Sequence, residues 1–165
     1  KVEAEKVVLG RENSITFRLA TLFGCSPRMR FDLLVNNFCH RAVNDGVIVL
    51  FESHFRRNYL HVRDAALAFL WAIEHYDEMK GKSYNTGLSD ANITKWQLCE
   101  KIKQHVPSLY FIEAAIGEDV DKRDYLVAND RILATGWRPR YSLDDGIVEL
   151  IRAMPICKDY RWQNA

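Results

Sequence analysis

Nine consecutive residues, Ala65-Ala66-Leu67-Ala68-Phe69-Leu70-Trp71-Ala72-Ile73, are apolar or aromatic without a single charge. Alanine and leucine favour helix, and Asp64 just ahead of the run is a residue type that caps helix starts. The sequence therefore predicts a helix over residues 65–75. Its apolar side chains fall all round the cylinder instead of along one stripe, so other elements must cover it on most sides. A chain built on such a helix needs layers, and the helix belongs in the central packing.

The flanking sequence supplies those layers. Residues 1–9 set Val2, Val7, Val8 and Leu9 among charged neighbours, as in an amphipathic helix stopped at Gly10. Residues 14–20 are β-rich and read as a strand. Residues 21–30, with Gly24 and Pro27, read as a loop leaving its end, where α/β proteins place ligand contacts. A helix over 31–43 has Leu34, Phe38 and Ala42 on one face. Short strands are expected at 47–51, 57–62, 82–86 and 109–114, with 125–128 extended. Thr94-Lys95-Trp96-Gln97 matches a capping box ahead of a helix that ends at Pro107. A charged loop is expected at 117–123 and a short helix at 129–135, ended by Gly136. Ser142 opens a last helix with Ile147, Leu150, Ile151 and Met154 on its apolar face. Interleaved strands and helices place the chain in the α/β class.

Composition excludes several functions. Lys and Arg number 23 against 22 acidic residues, too even a balance for broad electrostatic capture of nucleic acid. The cysteines at 25, 39, 99 and 157 form no CxxC, so neither a zinc site nor a disulfide framework is expected; they read as reduced thiols of a cytoplasmic protein. The five histidines show no ligand spacing, and no metal is expected. No apolar run approaches the roughly 20 residues of a membrane span. The opening Lys-Val-Glu-Ala-Glu-Lys looks like mid-helix sequence, so the chain is expected to be part of something longer. Neither a glycine-rich dinucleotide fingerprint nor a Walker loop is present.

One segment stands out for chemistry: His54-Phe55-Arg56-Arg57-Asn58-Tyr59-Leu60-His61-Val62-Arg63-Asp64. Arginine presents a planar fork of donors suited to phosphate oxygens. Side chains alternate faces along a strand, so Arg56 and Arg57 point apart and only one can face a given ligand. A solvated strand charge, or a salt bridge from Arg57 to Asp64 or Glu52, accounts for the same residues without a ligand.

Several segments, in order, resemble the C-terminal half of extended short-chain dehydrogenase/reductases, the family of NAD-dependent nucleotide-sugar epimerases and dehydratases. Lys1-Val2-Glu3-Ala4-Glu5-Lys6 resembles the helix following the catalytic Tyr-x-x-x-Lys, with Lys1 on the motif lysine. Arg18-Leu19-Ala20-Thr21-Leu22-Phe23-Gly24 resembles Arg-x-x-Asn-x-Tyr/Phe-Gly-Pro, with Thr21 where asparagine is usual and Cys25 where proline is usual. Arg57 to Asp64 resembles Arg-x-Phe/Tyr-x-x-Val-x-Asp, and Tyr84-Asn85-Thr86-Gly87 resembles Tyr-Asn-x-Gly. Asp121-Lys122-Arg123 followed by Gly136-Trp137-Arg138-Pro139 resembles the family's tail.

The resemblance implies the C-terminal part of an NAD(P)-binding Rossmann-type fold. Residues 1–24 would be a remnant of the Rossmann domain, a helix then a strand, and residues 25–165 mainly a small mixed α/β substrate-binding domain. It implies that Lys1 is catalytic and bonds the nicotinamide ribose, and that Leu19 and Ala20 line the nicotinamide pocket. Thr21, Asn36, Arg57 and Arg123 would contact a nucleoside-diphosphate sugar, the arginines through phosphate. NAD or NADP would serve the full-length parent, with no cofactor expected on this chain alone, which would be catalytically inert. Surface that the family's N-terminal sheet covers would be exposed here, giving a homo-oligomer or local disorder at residues 1–24. Two other classes remain: a stand-alone nucleotide-sugar-binding module without catalysis, and a nucleic-acid binder using Phe55 to Tyr59 as a basic, aromatic platform.

Overall fold

The computed structural model describes residues 1–118 and 123–157. Most of the charged loop expected at 117–123, including Asp121 and Lys122 of the tail motif, lies outside the described residues. Helix α1 (Val2–Leu9) leads into strand β1 (Ile15–Leu19), as the sequence predicts. The loop expected from residue 21 begins instead as a second strand, β2 (Thr21–Phe23). The chain stays extended and changes neighbour: the Ala20 amide donates to Thr86 O at 2.9 Å, and the Thr21 amide donates to Asn58 O at 3.0 Å. Local sequence does not encode this switch, because both new partners are remote in the chain.

Helix α2 (Leu34–Asn44) precedes β3 (Val47–Leu50), then the short β4 (Arg56–Arg57) and β5 (Tyr59–His61). The apolar run forms α3 (Val62–Glu74), followed by a turn of helix α4 (Tyr76–Met79) and strand β6 (Lys82–Thr86). Strand β7 (Ile93–Thr94) enters α5 (Lys95–His105) through the predicted capping box. Strand β8 (Tyr110–Glu113), α6 (Asp130–Leu133) and α7 (Leu143–Ala153) complete the order, α7 starting at a second capping box from Ser142 and Asp145. Among the described residues the strands pair two by two. β1 with β6, β2 with β5, and β3 with β8 run parallel, while β4 and β7 run antiparallel.

Two apolar clusters result. One joins Ala20, Leu60, Ala65, Ala68, Ala72, Met79, Tyr84, Ile132 and Trp137 around α3 and the β1–β6 pair. The other gathers Phe23, Phe38, Ile48, Tyr59, Leu98, Ile102, Ile147 and Leu150 between α2, α5 and α7. The first draws on residues far beyond 24, so its elements and those of the second interleave along the chain. Among the described residues, helix α3 is covered along Ala65, Ala68 and Ala72, with Trp71 partly buried beside them. Phe69, Leu70 and Ile73 are 49%, 55% and 72% exposed, which corrects the expectation that it would be enclosed on most sides.

Asp64 does not cap α3. The helix starts earlier, where His61 Nδ1 accepts the Arg63 amide at 3.2 Å. Asp64 sits fully buried in the first turn, and its two carboxylate oxygens accept the amides of Arg140 at 2.9 Å and Tyr141 at 3.0 Å. It fastens α3 to the segment entering α7.

His61 is enclosed just as tightly. A Cβ at Gly24 would lie 2.6 Å from its Nε2, one at Gly146 3.0 Å from its Cδ2, and Tyr141 stacks on the ring at 4.6 Å. Burial lowers its pKa below the ordinary histidine value, opposed by Glu149, whose Oε2 is 3.5 Å from Nε2. The unfolded chain therefore takes up this proton before the folded one, so stability is full above the ordinary histidine pKa of about 6.5 and falls as pH drops below it. Urea melts at several pH values should show that loss, with a smaller slope in His61→Gln.

Candidate functional site

The switch from β1 to β2 opens a cleft of about 570 Å³ at the strand ends. Six of the seven residues singled out in the sequence line it: Lys1, Leu19, Ala20, Thr21, Arg57 and Arg123. Leu19, Ala20 and Thr21 supply its strand wall, with Leu33 and Leu34 at the start of α2 adding apolar surface. Arg57, on the short β4, is 4% exposed; its Nη1 donates to the Arg56 carbonyl at 2.9 Å, and its guanidinium lies 5.4 Å from the centroid of Tyr125.

Strand alternation separates the two arginines as expected. Arg56 turns away and grips Asp124 through Nε and Nη2 at 3.0 and 2.9 Å, while its backbone amide donates to the same carboxylate at 2.8 Å. These bonds hold the Asp124 carboxyl far below the usual carboxylate range. The pair also has a positional effect, because it fixes the segment that presents Arg123 and Tyr125 to the cleft.

Asn36 does not reach the cleft. It is 2% exposed, its Oδ1 accepts the Gly24 amide at 3.1 Å and its Nδ2 donates to the Arg30 carbonyl at 3.0 Å. Both ends of the amide are used to brace the loop that delivers Arg30 and Asp32 to the rim.

Lys95, Tyr125, Arg30 and Asp32, which no motif singles out, complete the polar lining. Lys95 is 2% exposed; its Nζ donates to the Phe51 carbonyl at 2.6 Å and lies 5.4 Å from the Phe55 ring centroid. A signal was present: lysine at the first position of a helix sets a cation where the dipole disfavours one, and such local conflicts gather at functional sites. Among the described residues the lining thus carries Lys1, Arg30, Arg57, Lys95 and Arg123 against one carboxylate, Asp32. Clustered cations over an apolar wall suit a ligand with concentrated negative charge and an uncharged remainder.

Residues 6–87 match the model of the NAD dependent epimerase/dehydratase family. The chain belongs to this family. Solved structures of similar fold include RMD from Pseudomonas aeruginosa complexed with NADPH, 17% identical with a TM-score of 0.76 over 93% of this chain and 54% of that one. dTDP-glucose 4,6-dehydratase from Bacillus anthracis in complex with NAD is 18% identical, with a TM-score of 0.76 over 97% and 52%. UDP-glucose 4-epimerase from Thermotoga maritima with UDP-glucose is 20% identical, with a TM-score of 0.71 over 86% and 46%. At these identities the likeness is one of fold, the Rossmann-type α/β fold of epimerases and dehydratases. The chain spans about half the length of these structures. Among the described residues of this family member, no helix is long and apolar enough to cross a membrane, and no group of three or more His, Cys, Asp or Glu residues is arranged to hold a metal ion.

Proposed function

We propose that this chain is the substrate-binding portion of an NAD-dependent nucleotide-sugar epimerase or dehydratase, and that its cleft takes the diphosphate of a nucleoside-diphosphate sugar. The observation that carries the reading is the meeting of Arg57, Lys95 and Arg123 in one cleft with Thr21. Guanidinium and ammonium groups stabilise phosphate oxygens through charge-assisted bonds, and burial of Arg57 and Lys95 strengthens each of them. Thr21 offers a hydroxyl to a sugar oxygen.

NAD or NADP belongs to the longer parent in this reading. Lys1, Leu19 and Ala20 line one end of the cleft and suit the nicotinamide-ribose end of such a cofactor, a cation beside an apolar wall. When bound, the cofactor would supply the hydride chemistry. Lys1 would act with a tyrosine contributed by sequence outside these 165 residues. The chain alone is expected to bind no NAD and to turn nothing over. Its four free cysteines suit a reducing, cytoplasmic setting.

A thermal-shift panel of nucleoside diphosphates and their sugars tests the reading. A cognate ligand at about 100 times its Kd should raise Tm by roughly 5–10 °C. A shift given by single-stranded oligonucleotide and by no diphosphate would overturn it. Self-association is proposed as well, through exposed apolar side chains of α1 and α3, among them Val2, Val7, Phe69, Leu70 and Ile73. Sedimentation should show concentration-dependent dimers or larger species, and a monodisperse monomer would refute it.

A further inference from the structure

Among the described residues the cleft is cationic except at one place on its rim. Asp32 stands there opposite Arg30, on a loop that is braced rather than loose. Met29 and Phe31 are each 5% exposed, Asn36 bonds the Arg30 carbonyl, and Asn37 Nδ2 donates to the Phe31 carbonyl at 3.0 Å. Arg30 meets Asp32 fork to fork, Nε donating to Oδ1 at 3.0 Å and Nη2 to Oδ2. That contact holds the Asp32 carboxyl below its usual range, so the group is ionised at neutral pH. It also occupies two of the guanidinium donors, while the carboxylate keeps lone-pair capacity for another donor. The rim therefore presents acceptors from a locally neutral pair, in a cleft whose other described charged residues are positive. A phosphate has no hydrogen to give such a group; a sugar hydroxyl does.

Resting on the proposed nucleotide-sugar reading, we infer that Asp32, set by Arg30, reads the glycosyl group and selects a neutral, hydroxylated sugar over a uronate. Hydroxyls donate to the carboxylate oxygens. A sugar carboxylate at that point brings two anions together, and the fork that would accept it is already engaged. The diphosphate is common to both ligands, so its contacts with Arg57, Lys95 and Arg123 cancel from the comparison.

The test is calorimetric titration of the full 165-residue chain with UDP, UDP-glucose and UDP-glucuronate, and with the GDP, GDP-mannose and GDP-mannuronate series. For the series whose nucleoside diphosphate binds, the neutral sugar should bind on the order of tenfold more tightly than its uronate, the scale of a like-charge contact near a surface. Asp32→Asn should erase or invert that ratio, because Arg30 is released to take the carboxylate. Arg30→Ala should widen it, since Asp32 then acts without neutralisation. Nucleoside-diphosphate binding with a ratio that neither variant moves would overturn this inference and leave the diphosphate reading standing. No binding by either diphosphate would overturn both.

Discussion

Replacing Arg57 with alanine is expected to remove most of the stabilisation that a nucleoside-diphosphate ligand confers. A hydrogen bond to a charged partner contributes about 1.5–3 kcal/mol, and a loss of about 2 kcal/mol weakens binding roughly 30-fold. Ligand at about 100 times the original Kd then stands at only about three times the new one, and the Tm shift falls to roughly 2–3 °C. Arg57→Lys should recover part of the affinity, because it restores the charge without the planar fork. Arg56→Ala separates the two arginines. Arg56 grips Asp124 outside the cleft, so its loss should act through the placement of Arg123 and Tyr125 and give a smaller change. Equal losses at the two positions would contradict the assignment of Arg57 to the ligand.

The largest effect on stability is expected at Asp64. Alanine there deletes two charge-assisted bonds and strands the amides of Arg140 and Tyr141 in a part-buried setting. A group left unsatisfied in this way costs about 1–3 kcal/mol, so the pair gives on the order of 3–4 kcal/mol and a fall in Tm of roughly 6–15 °C. Asparagine does little better, since one of its two ends is a donor facing a donor. Urea denaturation checks this: the midpoint should fall in both variants at unchanged slope. If Asp64 were a helix cap, asparagine, itself a good capping residue, would be nearly neutral.

These two residues mark how far the sequence could be read. The parting of Arg57 from Arg56 was legible because strand alternation is a two-residue rule, whereas the choice of Arg57 between the two rested on the motif resemblance. The capping box at Thr94 was legible because donor and acceptor lie three residues apart; at Ser142 the sequence was read as a helix start alone, and the structure adds the box with Asp145. Asp64 was misread because its partners lie 76 and 77 residues further on, while the local pattern offered a nearer use. Asn36, expected at the ligand, is instead spent on the loop from Gly24 to Arg30, whose backbone groups lie 12 and 6 residues before it. Lys95 was absorbed into a correct helix-start reading, and only the pairing of β4 with β7 carries it to the cleft. The exposure of Phe69, Leu70 and Ile73 has a different origin. Sequence shows that a side chain wants cover, and whether the chain provides it is decided by tertiary structure.

The interleaving of the two apolar clusters bears on the order of events during folding. Parallel pairing joins Ile15 to Lys82 and Val47 to Tyr110, so neither pair can form as a local hairpin. Each must close a long loop before its contacts repay the lost chain entropy. Helices α3 and α5 can form early from their own sequence, but the β1–β6 pair and Trp137 must then meet across most of the chain. During synthesis on a ribosome, β1 emerges well before β6, so this pairing must wait for the later strand to be made. Folding of this chain should accordingly be slow for its size and sensitive to whatever shields β1 in that interval.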